Sequence, residues 1–346
     1  MKSSSVPVPI AITMGDPAGV GPEVVVRALA SSRVARRVLP VVVGSVPTLE
    51  RGAALAGVEL RFLEIDARGG SLGSSRPRGD EREPRRVAVV TPAGMTRRSG
   101  ARARGQTAYA CVAEAVRLCA DGRTRGIVTA PISKATLVAA GLRFAGHTEM
   151  LRKLCGSRRT VMMFACGELR ISLVTTHTPI GRLTQELSRG GVEEVIQMTK
   201  KAVVALFGKA HPRLAVLALN PHAGEHGLLG AEEERIIRPA VRSARKKGAV
   251  VEGPFPADSF FARGKWKDFD ATIAMYHDQA LIPAKLLAGD NVVNLTLGLP
   301  FVRTSPGHGT AEDIAWQGRA SAEGMVSAIL LAADLSEKVR LPLRWD

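Results

Sequence analysis

Three apolar segments that each end in a histidine constrain the fold of this chain more than any other feature of its sequence. They lead to His177, His222 and His277, and their length and β-branched content are typical of strands buried in a parallel sheet. Open α/β sheets bind ligands at the carboxyl ends of such strands. A single histidine of this kind is more often an ordinary core or loop residue. Three at one sheet edge favour a shared divalent metal and therefore an enzyme, because neutral imidazole is the commonest metal ligand.

Strand-like and helix-like segments alternate along the whole chain, which predicts an α/β fold. The 346 residues exceed what one core usually holds, so we expect two domains. No linker divides the chain, and a first domain built from both chain ends would account for that. We predict a first domain over 1–125 plus 300–346 and a second over 126–299. Residues 66–105 are rich in Gly, Ser, Pro and Arg and are expected to form mobile loops around one strand at Arg86–Val90.

Charge and composition limit the class of protein. The net charge of +16 is compatible with nucleic-acid binding, but the arginines are scattered through turn-rich sequence and no helix-turn-helix or aromatic RNA-binding motif accompanies them. We therefore expect a solvated basic surface and no nucleic-acid partner. No apolar run approaches the roughly 18 residues of a membrane span, and the first residues do not resemble a signal peptide. With no C-x-x-C pair among the four cysteines, these features predict a cytoplasmic protein without membrane association.

Several polar residues near these strands are candidates for substrate contact or proton transfer. Lys285, Asn294 and Arg303 follow one another at short intervals and carry the donors that an anionic, hydroxylated substrate needs. Asp258 or Asp278 could orient an imidazole or act as a base. A helix cap or turn is an equally good interpretation of either carboxylate from the sequence alone.

Two glycine-containing loops are candidates for ligand binding. The loop 15–21 follows a strand and precedes a helix, so it fits either a tight structural turn or a loop that presents backbone N–H groups to an anion. Its spacing is that of neither a dinucleotide-binding loop nor a Walker loop. The segment Gly307–Ala311 places a glycine-flanked histidine before a helix, where it could lie against an adenine or a ribose.

Several motifs, taken in their order along the chain, resemble the 4-hydroxythreonine-4-phosphate dehydrogenase (PdxA) family of vitamin B6 biosynthesis. Some of them are weak individually, but in this order they are highly specific, and they cover residues 11 to about 318. The motifs are ITMGDPAGVGPEV, TAPISK, GHTEML, TTHTPI, LNPHAGE, GPFPADSFF, MYHDQALIPAK, and NLTLGLPFVRTS followed by HGTAEDIA.

The resemblance implies a fold, an assembly and a set of site residues. The fold is isopropylmalate-dehydrogenase-like, with two α/β/α domains and the active-site cleft between them. The second domain carries the metal histidines and the contacts of a homodimer, whose metal site takes ligands from both subunits. The implied metal ligands are His177, His222 and His277. The implied substrate contacts are His147, Thr148, Lys285, Asn294 and Arg303. The implied cofactor loop consists of Gly307, His308, Gly309 and Thr310, and the implied catalytic candidates are Lys285, Asp278 and Asp258.

The reaction that the resemblance implies is oxidation of 4-phosphooxy-L-threonine by NAD or NADP with one divalent Zn, Mg or Co ion. The product, 2-amino-3-oxo-4-phosphooxybutanoate, decarboxylates to 3-amino-1-hydroxyacetone phosphate. The metal would polarise the substrate hydroxyl, and Lys285 or Asp278 would take its proton. Related enzymes oxidise 4-phosphothreonate or 4-phosphoerythronate, so these substrates are alternatives. A metal-dependent hydrolase of a phosphorylated small molecule is the alternative from another class, because histidines and carboxylates would also serve a metal-activated water.

Overall fold

The computed structural model describes residues 6–66, 84–96, 98–144 and 146–345. The chain forms two compact units. Unit 1 comprises Met1–Arg158 and Leu299–Leu343, and unit 2 comprises Arg159–Gly298 and Arg344–Asp346. Residues 67–83, part of the segment for which we expect mobile loops, lie outside the described residues. In the described parts of the chain, no helix is long and apolar enough to cross a membrane.

The strands are short, apolar and rich in β-branched residues, which pack well on the faces of a buried sheet. In chain order they are β1 (Val8–Thr13), β2 (Val38–Val43), β3 (Leu60–Glu64), β4 (Arg85–Val90), β5 (Gly126–Thr129), β6 (Val161–Cys166), β7 (Leu169–Leu173), β8 (Arg213–Leu217), β9 (Val250–Phe255), β10 (Ala271–Ala274), β11 (Val293–Leu297) and β12 (Val302–Pro306). The strand predicted at Arg86–Val90 is confirmed as β4.

The helices alternate with these strands, as an α/β fold requires. They are α1 (Gly21–Ala30), α2 (Ser32–Arg37), α3 (Val46–Ala56), α4 (Ala101–Ala120), α5 (Lys134–Ala139), α6 (His147–Leu154), α7 (Leu183–Glu186), α8 (Arg189–Phe207), α9 (Arg238–Lys246), α10 (Ala257–Ala262), α11 (His277–Ala288) and α12 (Glu323–Lys338). Local sequence sets their limits. The Ser188 side chain accepts a hydrogen bond from the N–H of Gly191 at the start of α8, and the left-handed Gly208 ends that helix.

The strands of unit 1 lie in the order β3-β4-β2-β1-β5-β12, and every neighbouring pair is parallel. The central strands are buried along almost their whole length: β5 has no residue outside the core, and in β1 only Pro9 is partly accessible. Parallel strands need helical crossovers that cover both faces of the sheet, which explains why these strands are apolar throughout instead of alternating.

The strands of unit 2 lie in the order β11-β6-β7-β10-β8-β9. The pairs β11–β6 and β6–β7 are antiparallel, whereas β7–β10, β10–β8 and β8–β9 are parallel. The three strands that precede the histidines, β7, β10 and β8, are therefore direct neighbours and point in the same direction. Their carboxyl ends lie at one edge of the sheet.

The units divide at a different residue from the predicted domain boundary. We expect the second domain to begin at residue 126, but β5 pairs in parallel with β1 and with β12. Unit 1 therefore continues through α5 and α6 to Arg158. The sequence places a strand at 126 correctly, but strand pairing is a long-range property that the local pattern does not carry. That the two units are separate domains stays a prediction.

Candidate active site

The three histidines follow adjacent strands of unit 2. His177 comes four residues after the end of β7, His222 five residues after β8, and His277 three residues after β10. His177 and His222 are exposed on loops, and His277 is half-buried at the first residue of α11. The arrangement predicted from the three apolar segments, neighbouring parallel strands with histidines beyond one sheet edge, is present.

His177 and His277 lie close enough together to share a metal ion. Their ring centroids are 5.9 Å apart, with an interplanar angle of 39°. With metal–nitrogen bonds of about 2.1 Å, two imidazoles on one zinc ion have centroids roughly 5–6 Å apart. Nδ1 of His277 is 2.7 Å from Oδ1 of Asp278, a contact that holds the ring with its other nitrogen available as a ligand. The donor set of this pair fits a divalent metal.

His222 does not complete a three-ligand group within one chain. The described residues contain no set of three or more His, Cys, Asp and Glu side chains that could together hold a metal ion. The shared metal site with ligands from both subunits, which the family resemblance implies, stays a prediction. The backbone at His222 is left-handed and carries the imidazole on an exposed loop.

The carboxylates and the lysine that we single out occupy different positions around these strands. Asp278 and Lys285 are both exposed on α11, and their spacing of seven residues puts them on the same helix face about two turns apart. Asp258 is exposed in the first turn of α10, which directly follows β9. The Asp278 contact with His277 favours an orienting role for this carboxylate. Asp258 occupies the start of a helix, where its carboxylate is favoured by the helix dipole.

Asn294 has a buried polar atom with no partner among the described residues. Its Oδ1 accepts no hydrogen bond there, although the side chain is half-buried in β11. Asn294 pairs with Phe164 across the antiparallel β11–β6 ladder, so the two side chains lie on the same face. The Phe164 ring meets that of His277 edge-on, with centroids 6.4 Å apart. Asn294 therefore lies on the same face of the sheet as Phe164, the residue whose ring contacts His277.

In unit 1, a buried arginine, Arg303, acts electrostatically on a half-buried histidine, His147. Arg303 on β12 is 1% exposed, and its Nη2 donates to Oγ1 of Thr129 at 2.5 Å. Burial lowers the pKa of this guanidinium to about 9, so it is charged at neutral pH. Burial, and secondly the charge of Arg303, lower the pKa of His147 well below its usual value. His147 and Thr148 are the first residues of α6, and Nε2 of His147 is buried with no partner among the described residues. A buried positive charge of this kind suits an anionic group.

We expect His147 to make the stability of the protein depend on pH. Its pKa is lower in the folded state than the value of about 6.5 in the unfolded chain, so the unfolded state binds the proton first. This contribution to stability is complete above about pH 6.5 and is lost as the pH falls toward the folded-state pKa. The fall in melting temperature between about pH 7 and pH 5 should therefore be smaller for His147→Asn than for the wild type.

The matched control for this measurement is His211→Asn, because His211 is exposed in a loop before β8. It should leave the pH dependence of the melting temperature as it is in the wild type. Equal slopes for the wild type and His147→Asn would contradict the neutral state of His147 in the folded protein.

The predicted cofactor loop follows β12 and packs on the glycine loop near the N-terminus. The N–H of Val20 donates to the carbonyl of Thr310 at 3.0 Å, and a Cβ on Gly19 would lie 3.3 Å from Thr310. His308 and Gly309 are exposed, and a Cβ on Gly309 would meet no atom within 4 Å. The loop thus has open space on one side, where an adenine or a ribose would have room. The loop 15–21 is the closely packed partner that supports it.

One ion-pair network around this loop was not predicted from the sequence. The carboxylate of Asp16 is fully buried and accepts two hydrogen bonds from Arg104, at 2.8 and 3.1 Å, and a third from Oγ1 of Thr136. Arg104 also donates to Glu312, two residues beyond Thr310. Arg104 therefore connects α4 with both loops. Asp16 in a glycine-rich loop was a possible signal, but Arg104 is one arginine among many in its segment.

Comparison with known proteins agrees with this architecture. The family model for the pyridoxal phosphate biosynthetic protein PdxA matches residues 36–332. A 4-hydroxythreonine-4-phosphate dehydrogenase of Geobacter metallireducens is 44% identical over 327 residues, which is 94% of this chain and 95% of that protein. A D-threonate 4-phosphate dehydrogenase of Salmonella typhimurium is 42% identical and covers 94% of this chain and 98% of its own.

A solved structure gives the same result for the fold. The crystal structure of a 4-hydroxythreonine-4-phosphate dehydrogenase from Klebsiella pneumoniae superposes with a TM-score of 0.82 at 37% identity, and covers 96% of this chain and 99% of its own. The α/β fold that the resemblance implied is thereby confirmed. Since both the sequence match and the fold extend over most of its length, the chain belongs to the pyridoxal phosphate biosynthetic protein PdxA family.

Proposed function

We propose that this protein is a metal-dependent dehydrogenase that oxidises 4-phosphooxy-L-threonine to 2-amino-3-oxo-4-phosphooxybutanoate with NAD or NADP. The 3-oxo acid then loses CO₂ to give 3-amino-1-hydroxyacetone phosphate. The observation that carries the proposal is the 44% identity, over 94% of this chain, to a protein named for this activity. The paired imidazoles of His177 and His277 in unit 2 and the buried cation Arg303 in unit 1 are the groups that such a substrate needs.

His177, His222 and His277 would hold the metal. When bound, a divalent cation supplies Lewis acidity that lowers the pKa of the substrate hydroxyl. Imidazole ligands suit zinc or cobalt better than magnesium, which prefers oxygen donors. Asp278 keeps the ring of His277 in one orientation through its 2.7 Å contact, and this interaction also makes the imidazole a stronger ligand.

Lys285 is the residue that we assign as the general base. It lies on the same face of α11 as Asp278, two turns further along, and its side chain is exposed. In its neutral amine form it would accept the proton of the substrate hydroxyl. Asp278 is the less suitable candidate because its carboxylate is already engaged with His277. Asp258, in the first turn of α10, is assigned to the rim of the site, where it can interact with the amino group of the substrate.

Arg303, His147 and Thr148 would bind an anionic group of the substrate. The buried guanidinium of Arg303 offers charge-assisted hydrogen bonds in a dry environment, where such bonds are strongest. His147 is neutral there, so its Nε2 can form a hydrogen bond with the ligand without adding a charge. Asn294, whose Oδ1 is buried without a partner among the described residues, would bind a hydroxyl or amino group.

Gly307, His308, Gly309 and Thr310 would bind the dinucleotide. When bound, the nicotinamide supplies the acceptor for the hydride that leaves the substrate. The exposed His308 and the open space over Gly309 leave room for the adenosine part. The network of Asp16, Arg104 and Glu312 keeps this loop in place.

The active form would be a homodimer with metal sites shared between subunits. Large apolar side chains are exposed in the segments that carry the histidines: Ile180 is 75% exposed and Leu228 is 82% exposed. Helix α11 adds three more, Ile282, Leu286 and Leu287. A second copy of the chain would cover these side chains and could bring His222 of the partner subunit to the His177–His277 pair, which finds no third ligand among the described residues of its own chain.

Mixing two inactive variants tests the shared site. If two ligands come from one chain and His222 from the partner subunit, a heterodimer of His222→Ala and His277→Ala contains one intact site out of two. Statistical exchange should then restore about a quarter of wild-type activity to an equal mixture. No recovery after unfolding and refolding the two variants together, with a wild-type control that does recover, would contradict the shared site.

The activity itself is tested with purified protein, Zn²⁺ or Co²⁺, and each cofactor in turn. The substrates are 4-phosphooxy-L-threonine, D-threonate 4-phosphate and D-erythronate 4-phosphate, because some relatives are named D-threonate 4-phosphate dehydrogenase. Formation of reduced nicotinamide together with CO₂ from the first substrate is the expected result. Reduction with another substrate alone would reassign the specificity. Release of inorganic phosphate without reduction would overturn the proposal in favour of a hydrolase.

We assign the protein to the cytoplasm, where phosphorylated metabolites and nicotinamide cofactors are available. All four cysteines are unbridged, as expected in a reducing compartment.

A further inference from the structure

The backbone around His222 adopts a conformation that L-amino acids avoid. Five consecutive residues, from His222 to His226, have φ angles between 41° and 74°, and only one of them is glycine. Left-handed backbone costs about 1–2 kcal/mol for each non-glycine residue. Such strain persists only where the surrounding structure enforces it, and it concentrates at functional sites.

A buried carboxylate holds the two residues that lead into this turn. Glu233 is 1% exposed, and its Oε1 accepts hydrogen bonds from the N–H groups of Leu219 and Asn220, both at 2.8 Å. Its Oε2 accepts a third from Nδ2 of Asn220 at 3.0 Å. Three donors compensate a carboxylate whose burial would otherwise cost several kcal/mol. Oε2 of Glu232 also accepts from Nδ2 of Asn220, at 2.7 Å. The two backbone N–H groups just before His222 are held by Glu233.

The same carboxylate also contacts the interior of the turn. A Cβ added to Gly224 would lie 2.6 Å from Oε2 of Glu233, so the turn passes directly over the carboxylate and only glycine fits there. Glu233 begins the π-helical turn Glu233–Ile237, a rare element that is frequent at functional sites. The neighbouring Glu234 is engaged elsewhere, in an ion pair with Arg238.

We propose that Glu233 is the positioning residue of His222: its buried carboxylate holds the start of the left-handed turn and thereby sets where the imidazole is presented to the metal. The inference rests on the proposed metal-dependent function. The strain of the turn then has a role in placing a ligand, because a purely structural loop would not need five left-handed residues over a buried charge.

The test compares Glu233→Gln with Glu234→Gln, a matched loss of one carboxylate in the same turn. Glutamine keeps the size of the side chain, but its NH₂ group would meet a donor where Oε2 now accepts from Asn220. We expect Glu233→Gln to weaken Zn²⁺ binding by the metal-free protein by about 10- to 100-fold, measured by competition with a chromophoric chelator. The visible absorption of the Co²⁺ form should change as well. Glu234→Gln should leave both quantities at wild-type values.

A second variant covers the case in which Glu233→Gln does not fold. Asn220→Ala removes the side-chain hydrogen bonds from Nδ2 to Glu233 and to Glu232, at 3.0 and 2.7 Å, and keeps both backbone hydrogen bonds to Glu233, so Zn²⁺ affinity should fall by roughly 2- to 10-fold. The inference would be overturned by a wild-type Zn²⁺ affinity and Co²⁺ spectrum in folded Glu233→Gln. If only Asn220→Ala folds, the same result in that variant would overturn it. In either case, loss of metal in His222→Ala would still support His222 as a metal ligand. Undiminished Zn²⁺ affinity in His222→Ala would overturn both.

Discussion

Replacing His222 by alanine is expected to remove the bound metal and to lower kcat/KM by about 10²–10⁴-fold, because Lewis-acid stabilisation of a developing alkoxide contributes several kcal/mol. The imidazole is exposed on its turn, so the substitution removes no core packing. The melting temperature of the metal-free protein should therefore stay within a few degrees of the wild-type value. Metal content of the purified variant and turnover with added Zn²⁺ or Co²⁺ measure the effect.

The control for this variant lies in the same turn. His226 is also exposed and also left-handed, with φ of 58°, but has no assigned role. His226→Ala should bind metal and turn over substrate as the wild type does. Full activity of His222→Ala in metal-free buffer would refute the assigned site, and equal losses in both variants would point to general damage to the turn.

Replacing Arg303 by methionine is expected to separate function from stability. Burial removes the guanidinium from water and destabilises its charged form, which lowers its pKa to about 9. An apolar side chain of similar length removes that cost, so the metal-free, substrate-free variant should be as stable as the wild type or more stable. Loss of charge-assisted hydrogen bonds to the substrate should lower kcat/KM by about 10²–10³-fold.

Two further variants show whether this effect is specific. Arg303→Lys keeps the charge but loses the planar fork, so it should recover only part of the activity. Arg143→Met removes an exposed arginine from the same unit and should change neither quantity. A strongly destabilised Arg303→Met variant that retains wild-type kcat/KM would show that the arginine serves the fold and not the substrate.

The sequence by itself determined the strands, the helices and the histidine-tipped segments, because burial on both faces and the helical period are local patterns. The apolar runs before His177, His222 and His277 became β7, β8 and β10, and Gly208 ended α8 as its conformational freedom predicts. The order of motifs also identified the family, which the comparisons confirmed. None of these results needed knowledge of which residues meet in space.

Only the tertiary structure decided which charged and polar groups are buried, and beside what. It paired His177 with His277 and left His222 on a left-handed turn, and it kept β5 in unit 1 through its pairing with β1 and β12. It also selected Glu233 from a run of three glutamates for burial. The cost of burying a charge depends on the donors that distant segments bring to it, and a local sequence pattern contains no record of those donors.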